Sequence, residues 1–272
     1  MVTTMSNSQH NKQSPVAIHY LLLAFFIQTV AWGLPTQASS STTAPETGFT
    51  AEQIVEKADR IRFPAEGFQV DVNITTTKPG NDPVIKEYRI LSKGNDKTLL
   101  MTTAPVIDKG TILLMRDHDL WAFLPKLSQP VRIPLSAKLT GEVANGDIAR
   151  ANFTGDYNPT LLGTETIGET TYYTLELNAA RKGVTYHRIL YWVNQENYRP
   201  YKAEFYSLSN RLIKTSHYQG YKKMAGKIRP TILEMVDSLT KKSRSVMSYS
   251  NMRLRELPDK TFTKHYLKKL TK

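Results

Sequence analysis

The sequence of 272 residues contains no cysteine, and this absence excludes several classes of protein. Without cysteine there is no disulfide framework, no thiolate nucleophile and no Cys-ligated zinc or iron–sulfur site. Histidine is also scarce, with six residues, which disfavours a His-rich metal centre. Hydrophobic residues make up 40% and charged residues 22%, so the chain has enough apolar side chains to fold without covalent cross-links.

Catalytic sequence motifs are missing as well. The chain has no Gly-x-Ser-x-Gly, no His-Glu-x-x-His, no phosphate-binding glycine-rich loop and no dinucleotide glycine pattern. The acid–His–acid cluster Asp117-His118-Asp119 lies between two strand patterns, where it is typical of a polar hairpin turn. We therefore predict no catalytic residue, no metal site and no cofactor, and an enzyme on this scaffold is the least favoured alternative.

One long hydrophobic run is present, Val16–Leu34, followed by Pro35 and the small residue Ala38. This order is typical of a secretory signal peptide. A transmembrane anchor is the alternative, but it needs about 20 apolar residues, and His19 and Gln28 interrupt the run. We therefore predict cleavage after Ala38 and export to the periplasm, with no cysteine available for lipoprotein acylation.

The remainder, residues 39–272, is predicted to be a single mainly β domain with a loose leader over residues 39–49. Thr50 and Gln53 form a capping-box pattern before apolar residues at helical spacing, which predicts one helix, Ala51–Arg62. From Gly67 the apolar residues alternate with polar ones, which indicates a half-buried strand. Ten further strands are predicted: Ile85–Ser92, Thr98–Thr103, Gly110–Arg116, Leu120–Leu124, Tyr172–Leu177, Val184–Val193, Tyr201–Leu208, Arg211–Tyr218, Thr231–Asp237 and Arg244–Ser250.

The connection Ser136–Asn158 interrupts this series of strands. It contains Gly141, Gly146 and Gly155, which argue against one long helix. Long connections inside a compact domain are usually functional, so we predict a mobile lid or a binding loop. A tolerated surface insertion is the alternative.

Several predicted strands are apolar on both faces. Ile112–Met115, Leu120–Leu124 and Ile189–Val193 are continuous apolar runs, whereas a sheet with one wet face should alternate. Both faces must therefore be covered, by helices and a second sheet or by a bound apolar ligand. An ordinary sandwich core is the alternative.

Six segments resemble the outer-membrane lipoprotein-sorting protein family related to LolA. They are Gly110–Pro125, Pro130–Pro134, Asn145–Phe153, Arg229-Pro230, Tyr249–Arg253 and Pro258–Leu267. The resemblance implies a curved, incompletely closed antiparallel β-barrel, a LolA-like half-barrel whose hydrophobic concave face is covered by helices and a lid loop. Proteins of this superfamily are periplasmic carriers that shield acyl chains of lipoproteins or lipids, together with envelope-stress sensors.

The expected function is that of a non-enzymatic periplasmic carrier for a lipoprotein acyl chain or another lipid. Its expected partners are an inner-membrane transporter or an outer-membrane acceptor, and the alternative is a sensor or adaptor module that transports nothing. An apolar groove suffices for such cargo, because each buried acyl methylene contributes about 0.8 kcal/mol. Candidate groove-lining residues, taken from the alternating strands and from the apolar strand at 120–124, are Phe68, Val70, Val72, Ile74, Trp121, Phe123, Tyr173, Leu175, Leu177, Tyr201 and Phe205.

The basic charge is concentrated in the C-terminal quarter. Between Lys214 and Lys272 there are fifteen Lys and Arg residues but only four Asp and Glu residues. Such a one-sided field predicts docking on an anionic membrane surface or an acidic partner, while a merely solvated basic face is the alternative. Nucleic acid is not expected, because no nucleic-acid motif is present. The candidate docking residues are Lys222, Lys223, Lys241, Lys242, Lys268 and Lys269.

Overall fold

The computed structural model describes residues 48–270 except 126, 240 and 241, with side chains described up to residue 267. The predicted signal peptide and its cleavage site after Ala38 lie outside the described residues. Lys241 also lies outside them, as do the side chains of Lys268 and Lys269. No helix within the described part of the chain is long and apolar enough to cross a membrane.

The first helix, α1, has the predicted bounds Ala51–Arg62. Its capping box is formed: Gln53 N donates to the Thr50 hydroxyl at 3.3 Å, and Thr50 N donates to Gln53 Oε1 at 2.9 Å. At the other end the buried Arg229 donates to two carbonyl oxygens of the last turn at 2.9 and 3.1 Å. Both ends of a helix of only 12 residues are therefore hydrogen-bonded by side chains.

The remaining elements are mainly strands. Two further α-helices lie within the described residues, α2 over Asn145–Ala149 and α3 over Lys264–Leu270. The strands are β1 Phe68–Thr77, β2 Val84–Lys93, β3 Lys97–Ala104, β4 Ile112–Arg116, β5 Asp119–Phe123, β6 Val131–Ile133, β7 Lys138–Thr140, β8 Val143–Ala144, β9 Tyr157–Ile167, β10 Thr170–Ala179, β11 Arg188–Asn194, β12 Pro200–Tyr206, β13 Leu212–Gln219, β14 Lys222–Met224, β15 Lys227–Arg229, β16 Ile232–Asp237 and β17 Arg244–Leu254.

Thirteen of these strands form one antiparallel sheet, in the order β6-β5-β4-β3-β2-β1-β17-β16-β13-β12-β11-β10-β9. The first strand of the chain is therefore hydrogen-bonded to the last, with Phe68 opposite Leu254 and Thr77 opposite Arg244. β6 and β9 are the two edges, so the sheet is curved but not closed. The predicted half-barrel fold is confirmed.

The two faces of the sheet are covered differently. The inner face packs under α1, α2 and the chain around them, and it carries the larger apolar cluster, including Val70, Leu113 and Leu175. On the outer face of β2–β5 a second apolar cluster, with Leu99 and Leu114, is covered by the C-terminal residues 257–267. Adjacent residues of β4 thus enter different clusters, which explains its continuous apolar run.

The strand pattern of β11 has a different explanation. Tyr191 belongs to the inner cluster, but Trp192 faces the other side, where its Nε1 donates to Glu165 at 2.7 Å. The ammonium group of Lys202 lies 3.7 Å from the centre of the Trp192 ring. Polar neighbours therefore cover this outward tryptophan.

Several sequence expectations need correction. β9 was not predicted, because Pro159 and Gly163 break its alternation, and it lies at a sheet edge, where proline is tolerated. The short strands β6, β7, β8, β14 and β15 were also missed. The predicted strand Val184–Val193 begins only at Arg188. The turn expected around Asp117 is confirmed, with φ 56° at that residue.

Candidate functional site: an apolar inner face beneath a covering segment

The inner face combines apolar strand residues with a segment that lies across them. We call residues 135–156 the covering segment; it includes β7, β8 and α2. Its side chains Leu135, Val143, Ile148 and Phe153 belong to the same buried cluster as the strands beneath. The segment corresponds to the connection that the sequence predicts to be a lid.

The covering segment is held by an ion pair at α2. The Lys214 ammonium group on β13 donates to Asp147 Oδ2 at 2.6 Å and to the Glu142 carbonyl oxygen at 2.6 Å. The Tyr186 hydroxyl donates to Asp147 at 2.7 Å. The side chains of Lys214 and Asp147 are 3% and 6% exposed, so this pair is closed off from water. Burial and the adjacent Asp147 carboxylate raise the pKa of Tyr186, which keeps its hydroxyl protonated and donating.

A second buried carboxylate connects α1 to the end of the covering segment. Asp59 Oδ2 accepts hydrogen bonds from the backbone N–H groups of Phe153 and Thr154 at 2.9 and 2.8 Å and from the Thr154 hydroxyl at 2.7 Å. Arg62 donates to its other oxygen at 3.3 Å. Burial raises the pKa of Asp59, while Arg62 and these donors oppose the shift. The helix therefore holds the segment through one carboxylate.

Arg150 fixes the segment to two hairpin turns. Its guanidinium donates to Asp156, and its Nη1 donates to the carbonyl oxygens of Asn95 at 2.8 Å and Asp117 at 2.7 Å. Arg181 also donates to Asp156, at 2.9 Å. These contacts, like those of Asp147 and Asp59, are polar and non-covalent, and none of them is a hydrogen bond between strands of the sheet.

Two small cavities flank α2 beneath the covering segment. The first is mostly apolar and lies between the end of α1, β1 and β2, next to Phe63, Val70 and Ala149. The second is polar and is lined by Arg62, Asp147 and other residues of the ion-pair network. Each has a volume of about 20 Å³, which is room for about one water molecule. The covering segment therefore packs closely on the inner face, and we call this arrangement the closed form.

Comparison with known proteins identifies the family. A LolA superfamily protein from Nitrosomonas europaea is 53% identical to this chain, with a TM-score of 0.78, over 80% of this chain and 99% of that one. The chain belongs to the LolA superfamily. A family model described as an uncharacterized protein, of the DUF1329-like family, matches residues 94–269. No curated protein sequence matches significantly.

Two further solved structures of LolA-like fold are more distant. A putative outer membrane lipoprotein-sorting protein domain from Vibrio parahaemolyticus is 22% identical, with a TM-score of 0.70 over 80% of this chain and 98% of that one. A DUF1329 family protein from Desulfovibrio piger is also 22% identical, with a TM-score of 0.69 over 80% and 97%. At this identity the two structures support the LolA-like fold alone.

Most predicted lining residues lie on the inner face of this LolA-superfamily sheet. Those in the inner buried cluster are Phe68, Val70, Val72, Ile74, Tyr173, Leu175, Leu177 and Phe205. Phe68 and Val70 also line the apolar cavity. Contact of these residues with a lipid stays a prediction.

Three predicted lining residues lie on the outer face. Trp121 and Phe123 pair with Leu114 and Ile112, and they pack in the outer cluster beneath the C-terminal residues. Tyr201 has no partner in the β11–β12 pairing, because a register shift pairs Trp192 with Lys202 and Val193 with Pro200. Its ring therefore stacks on the outward Tyr172 instead of facing inward, with ring centres 4.7 Å apart. A bulge of this kind reverses the direction that simple alternation predicts.

The three predicted docking lysines whose side chains the structure describes do not form one patch. Lys222 and Lys223 lie in the exposed hairpin β14–β15, which follows the end of β13. Lys242 lies in the β16–β17 turn at the opposite end of the sheet, as the pairing of Lys214 with Asp237 shows. Docking by these lysines stays a prediction, but the structure does not bring them together.

The buried ionic residues were not among the candidates predicted from the sequence. Asp59, Arg62, Asp147, Arg150 and Lys214 are all buried, yet none was a candidate. The burial of two of them could have been predicted from the sequence. Arg62 falls on the apolar stripe of α1, and Lys214 lies on the same face of β13 as the inward Tyr218 because their positions differ by an even number. A charged residue at an inward position indicates a buried partner. No group of three or more His, Asp or Glu side chains in the described residues is arranged to hold a metal ion.

Proposed function

We propose that this protein is a periplasmic carrier that binds an acyl chain of a lipoprotein or another lipid against the inner face of its sheet. One observation carries the proposal: a continuous apolar face is covered by a segment that a buried ion pair and side-chain hydrogen bonds hold closed. Membership of the LolA superfamily and similarity to a putative lipoprotein-sorting domain support it. The role is binding and release, and no step in it requires catalysis.

Cargo binding follows from the arrangement of the covering segment. In the closed form the side chains of Ile148 and Phe153 contact the apolar strands, taking the place that an acyl chain would take. Displacing them costs apolar contacts, but a bound chain restores contacts at about 0.8 kcal/mol per buried methylene. Binding therefore becomes favourable once the chain is long enough to replace the contacts that the segment loses.

Native mass spectrometry of the protein purified from the periplasm tests the proposal directly. We expect mass adducts that organic extraction removes and lipid analysis identifies. Ala151→Trp, which places an indole beside both inner cavities, should reduce the adduct fraction. Ala180→Trp is the matched control, because Ala180 is exposed and lies outside both cavities. Adduct-free protein that copurifies with a membrane-protein partner would instead favour an adaptor.

Hydrogen exchange tests the opening step. We expect the backbone amides of residues 143–150, which are buried in the closed form, to be protected in the free protein and to exchange faster when a fatty acid is bound. Exchange that is unchanged by a bound fatty acid would contradict displacement of the segment and so the proposed binding mode.

A further inference from the structure

The ends of the antiparallel sheet differ in their exposed side chains. β1 ends at Thr77, opposite the beginning of β17, and we call this end of the sheet the rim. Six hairpin turns lie along the rim in the order β5–β6, β3–β4, β1–β2, β16–β17, β12–β13 and β10–β11, and they follow one another across twelve neighbouring strands. The turns at the other end, which we call the far end, include β2–β3, β4–β5, β9–β10 and β11–β12.

Exposed aliphatic side chains are concentrated at the rim. Of thirteen exposed large hydrophobic residues in the described part of the chain, nine lie in or beside five of the six rim turns. Five of the six rim turns contribute at least one, and β10–β11 contributes none: Leu124, Leu127 and Val131 lie at β5–β6, Val106 and Ile107 at β3–β4, Val84 and Ile85 at β1–β2, Leu239 at β16–β17, and Leu208 at β12–β13. The far-end turns named above have the sequences Gly-Asn-Asp, Asp-His, Gly-Glu and Gln-Glu-Asn-Tyr-Arg, with no aliphatic side chain.

The β3–β4 turn is the most exposed of these five turns. Val106 is 85% exposed and Ile107 is 91% exposed, so both side chains project into solvent. The turn is ordered by a 3-10 helix over Val106–Asp108 and by an ion pair from Lys86 to Asp108 at 2.9 Å. Two adjacent aliphatic side chains on an ordered turn are therefore exposed to water. This exposure is unfavourable, and neither side chain contributes to the buried core.

Charge separates the two ends as well. The described residues of the six rim turns, taken as 78–83, 105–111, 124–130, 180–187, 207–211 and 238–243, contain six Lys or Arg residues and two Asp residues. The four far-end turns named above, together with residues 220–231 around the β14–β15 hairpin, contain five Lys or Arg residues and four Asp or Glu residues. Exposed aliphatic side chains on an end with an excess of positive charge match an anionic lipid surface, where the aliphatic groups enter the interface and the cations face the headgroups.

We propose that the rim is a membrane-docking surface for bilayers that contain anionic lipid. Val106 and Ile107 insert at the headgroup boundary, and Leu208 and Leu239 extend the contact along the rim. The inference does not depend on the proposed cargo, since an empty protein has the same rim. It also assigns docking to a different set of residues from the lysines of the β14–β15 hairpin.

Vesicle co-sedimentation tests the surface. The protein should bind vesicles that contain phosphatidylglycerol and should bind phosphatidylcholine vesicles weakly. Val106→Asp combined with Ile107→Asp should weaken binding by about tenfold or more, because two aliphatic side chains lose their apolar surroundings. Leu254→Asp is the matched control, since Leu254 is 54% exposed at the far end, and it should bind like the parent chain. Parent protein that stays in the supernatant, or equal loss in both variants, would overturn the proposal.

The cysteine-free sequence permits a second measurement on the same two positions. Ile107→Cys or Leu254→Cys creates the sole thiol of the chain, to which an environment-sensitive fluorophore is attached. Anionic vesicles should shift the emission to the blue at position 107 and leave position 254 unchanged. A silent probe at 107, or a stronger shift at 254, would contradict insertion. A dimer in sedimentation velocity that the Asp variant abolishes, without vesicle binding, would assign the rim to a second copy of the chain and overturn the proposal.

Charge reversal provides the remaining arm of the test. Lys109→Glu with Arg211→Glu changes two exposed rim cations, while Lys222→Glu with Lys223→Glu changes two exposed cations of the far-end hairpin. We expect salt-sensitive weakening of vesicle binding with the first pair only. Weakening confined to the second pair would overturn the rim and favour the hairpin.

Discussion

Lys214 and Asp147 show how much a single buried charge contributes at the scale of the residue. The ammonium group has three acceptors within reach, the Asp147 carboxylate, the Glu142 carbonyl and the Met235 sulfur. Removing one partner of such a pair leaves the other charge without full compensation in a site that excludes water. Loss of either partner alone should therefore lower the stability of the fold strongly.

We predict that Lys214→Met lowers the free energy of unfolding by about 3 kcal/mol, because Asp147 is left buried with only its neutral donors. Urea denaturation followed by circular dichroism measures this. Lys222→Met is the control: Lys222 is exposed on the hairpin and should change stability by less than about 0.5 kcal/mol. Equal, small effects of both substitutions would mean that the α2 ion pair is not closed in solution.

Lys214 and Asp147 also show which features of the site could be predicted from the sequence and which could not. Alternation along β13 puts Lys214 on the face of Ser216 and Tyr218, so its inward position could be predicted. Its partner could not, because Asp147 is distant in sequence and is brought close only by the path of the covering segment across the sheet. Burial of single residues follows from local periodicity, whereas the pairing of charges depends on tertiary structure.

At the scale of the element, the covering segment depends on a close approach at Gly141. Its φ of 52° lies in the left-handed region, and a Cβ atom there would lie 2.2 Å from the Thr76 hydroxyl oxygen and 2.3 Å from that of Ser245. Those two hydroxyls hydrogen-bond each other at 2.9 Å, and Ser245 also accepts from Glu142 N. Glycine is therefore required twice here, for the backbone conformation and for the space.

We predict that Gly141→Ala destabilises the protein by more than Gly80→Ala. Gly80 also has a positive φ, 72°, but nothing lies within 4 Å of a Cβ placed there, so its substitution costs only about 1 kcal/mol of backbone strain. Thermal unfolding of both variants isolates the cost of the clash as the difference in Tm. Equal shifts in Tm would show that the segment yields freely at this point.

Elements with strong local patterns were predictable, and those defined by their neighbours were not. The bounds of α1 follow from its capping box and apolar stripe, and β1 follows from strict alternation. By contrast β9 has Pro159 within it and exists because β10 offers a partner on one side. The inner position of eight lining candidates was predicted by alternation, whereas the bulge that turns Tyr201 outward leaves no mark in the sequence.

At the scale of the whole molecule, buried tyrosines link stability to alkaline pH. Burial is the main cause that raises the pKa of six buried tyrosines, which are Tyr88, Tyr157, Tyr186, Tyr191, Tyr218 and Tyr249. In the unfolded chain these hydroxyls lose their protons near pH 10, while in the folded chain they stay protonated. The unfolded state then binds fewer protons, so stability falls as pH rises above about 10.

We therefore predict cooperative alkaline unfolding, with the free energy of unfolding constant between about pH 8 and 9 and falling steeply above pH 10. Tyrosinate absorbance and circular dichroism recorded on the same samples check this. Part of the absorbance should appear together with the loss of structure. A full tyrosinate signal that develops before unfolding would mean that these tyrosines are accessible to solvent in the folded protein.

The pairing of β1 with β17 at the middle of the sheet determines when this chain can finish folding. β2–β6 extend the sheet on one side of this seam, and β16 and β9–β13 extend it on the other. The seam joins Phe68 to Leu254. Contacts between such distant residues are slow to form, because the loop between them must be closed first. During synthesis from the N-terminus, the chain therefore has two half-sheets that are not joined to each other until β17 has been made. A truncation within β17 should consequently prevent assembly of the sheet rather than merely shorten it.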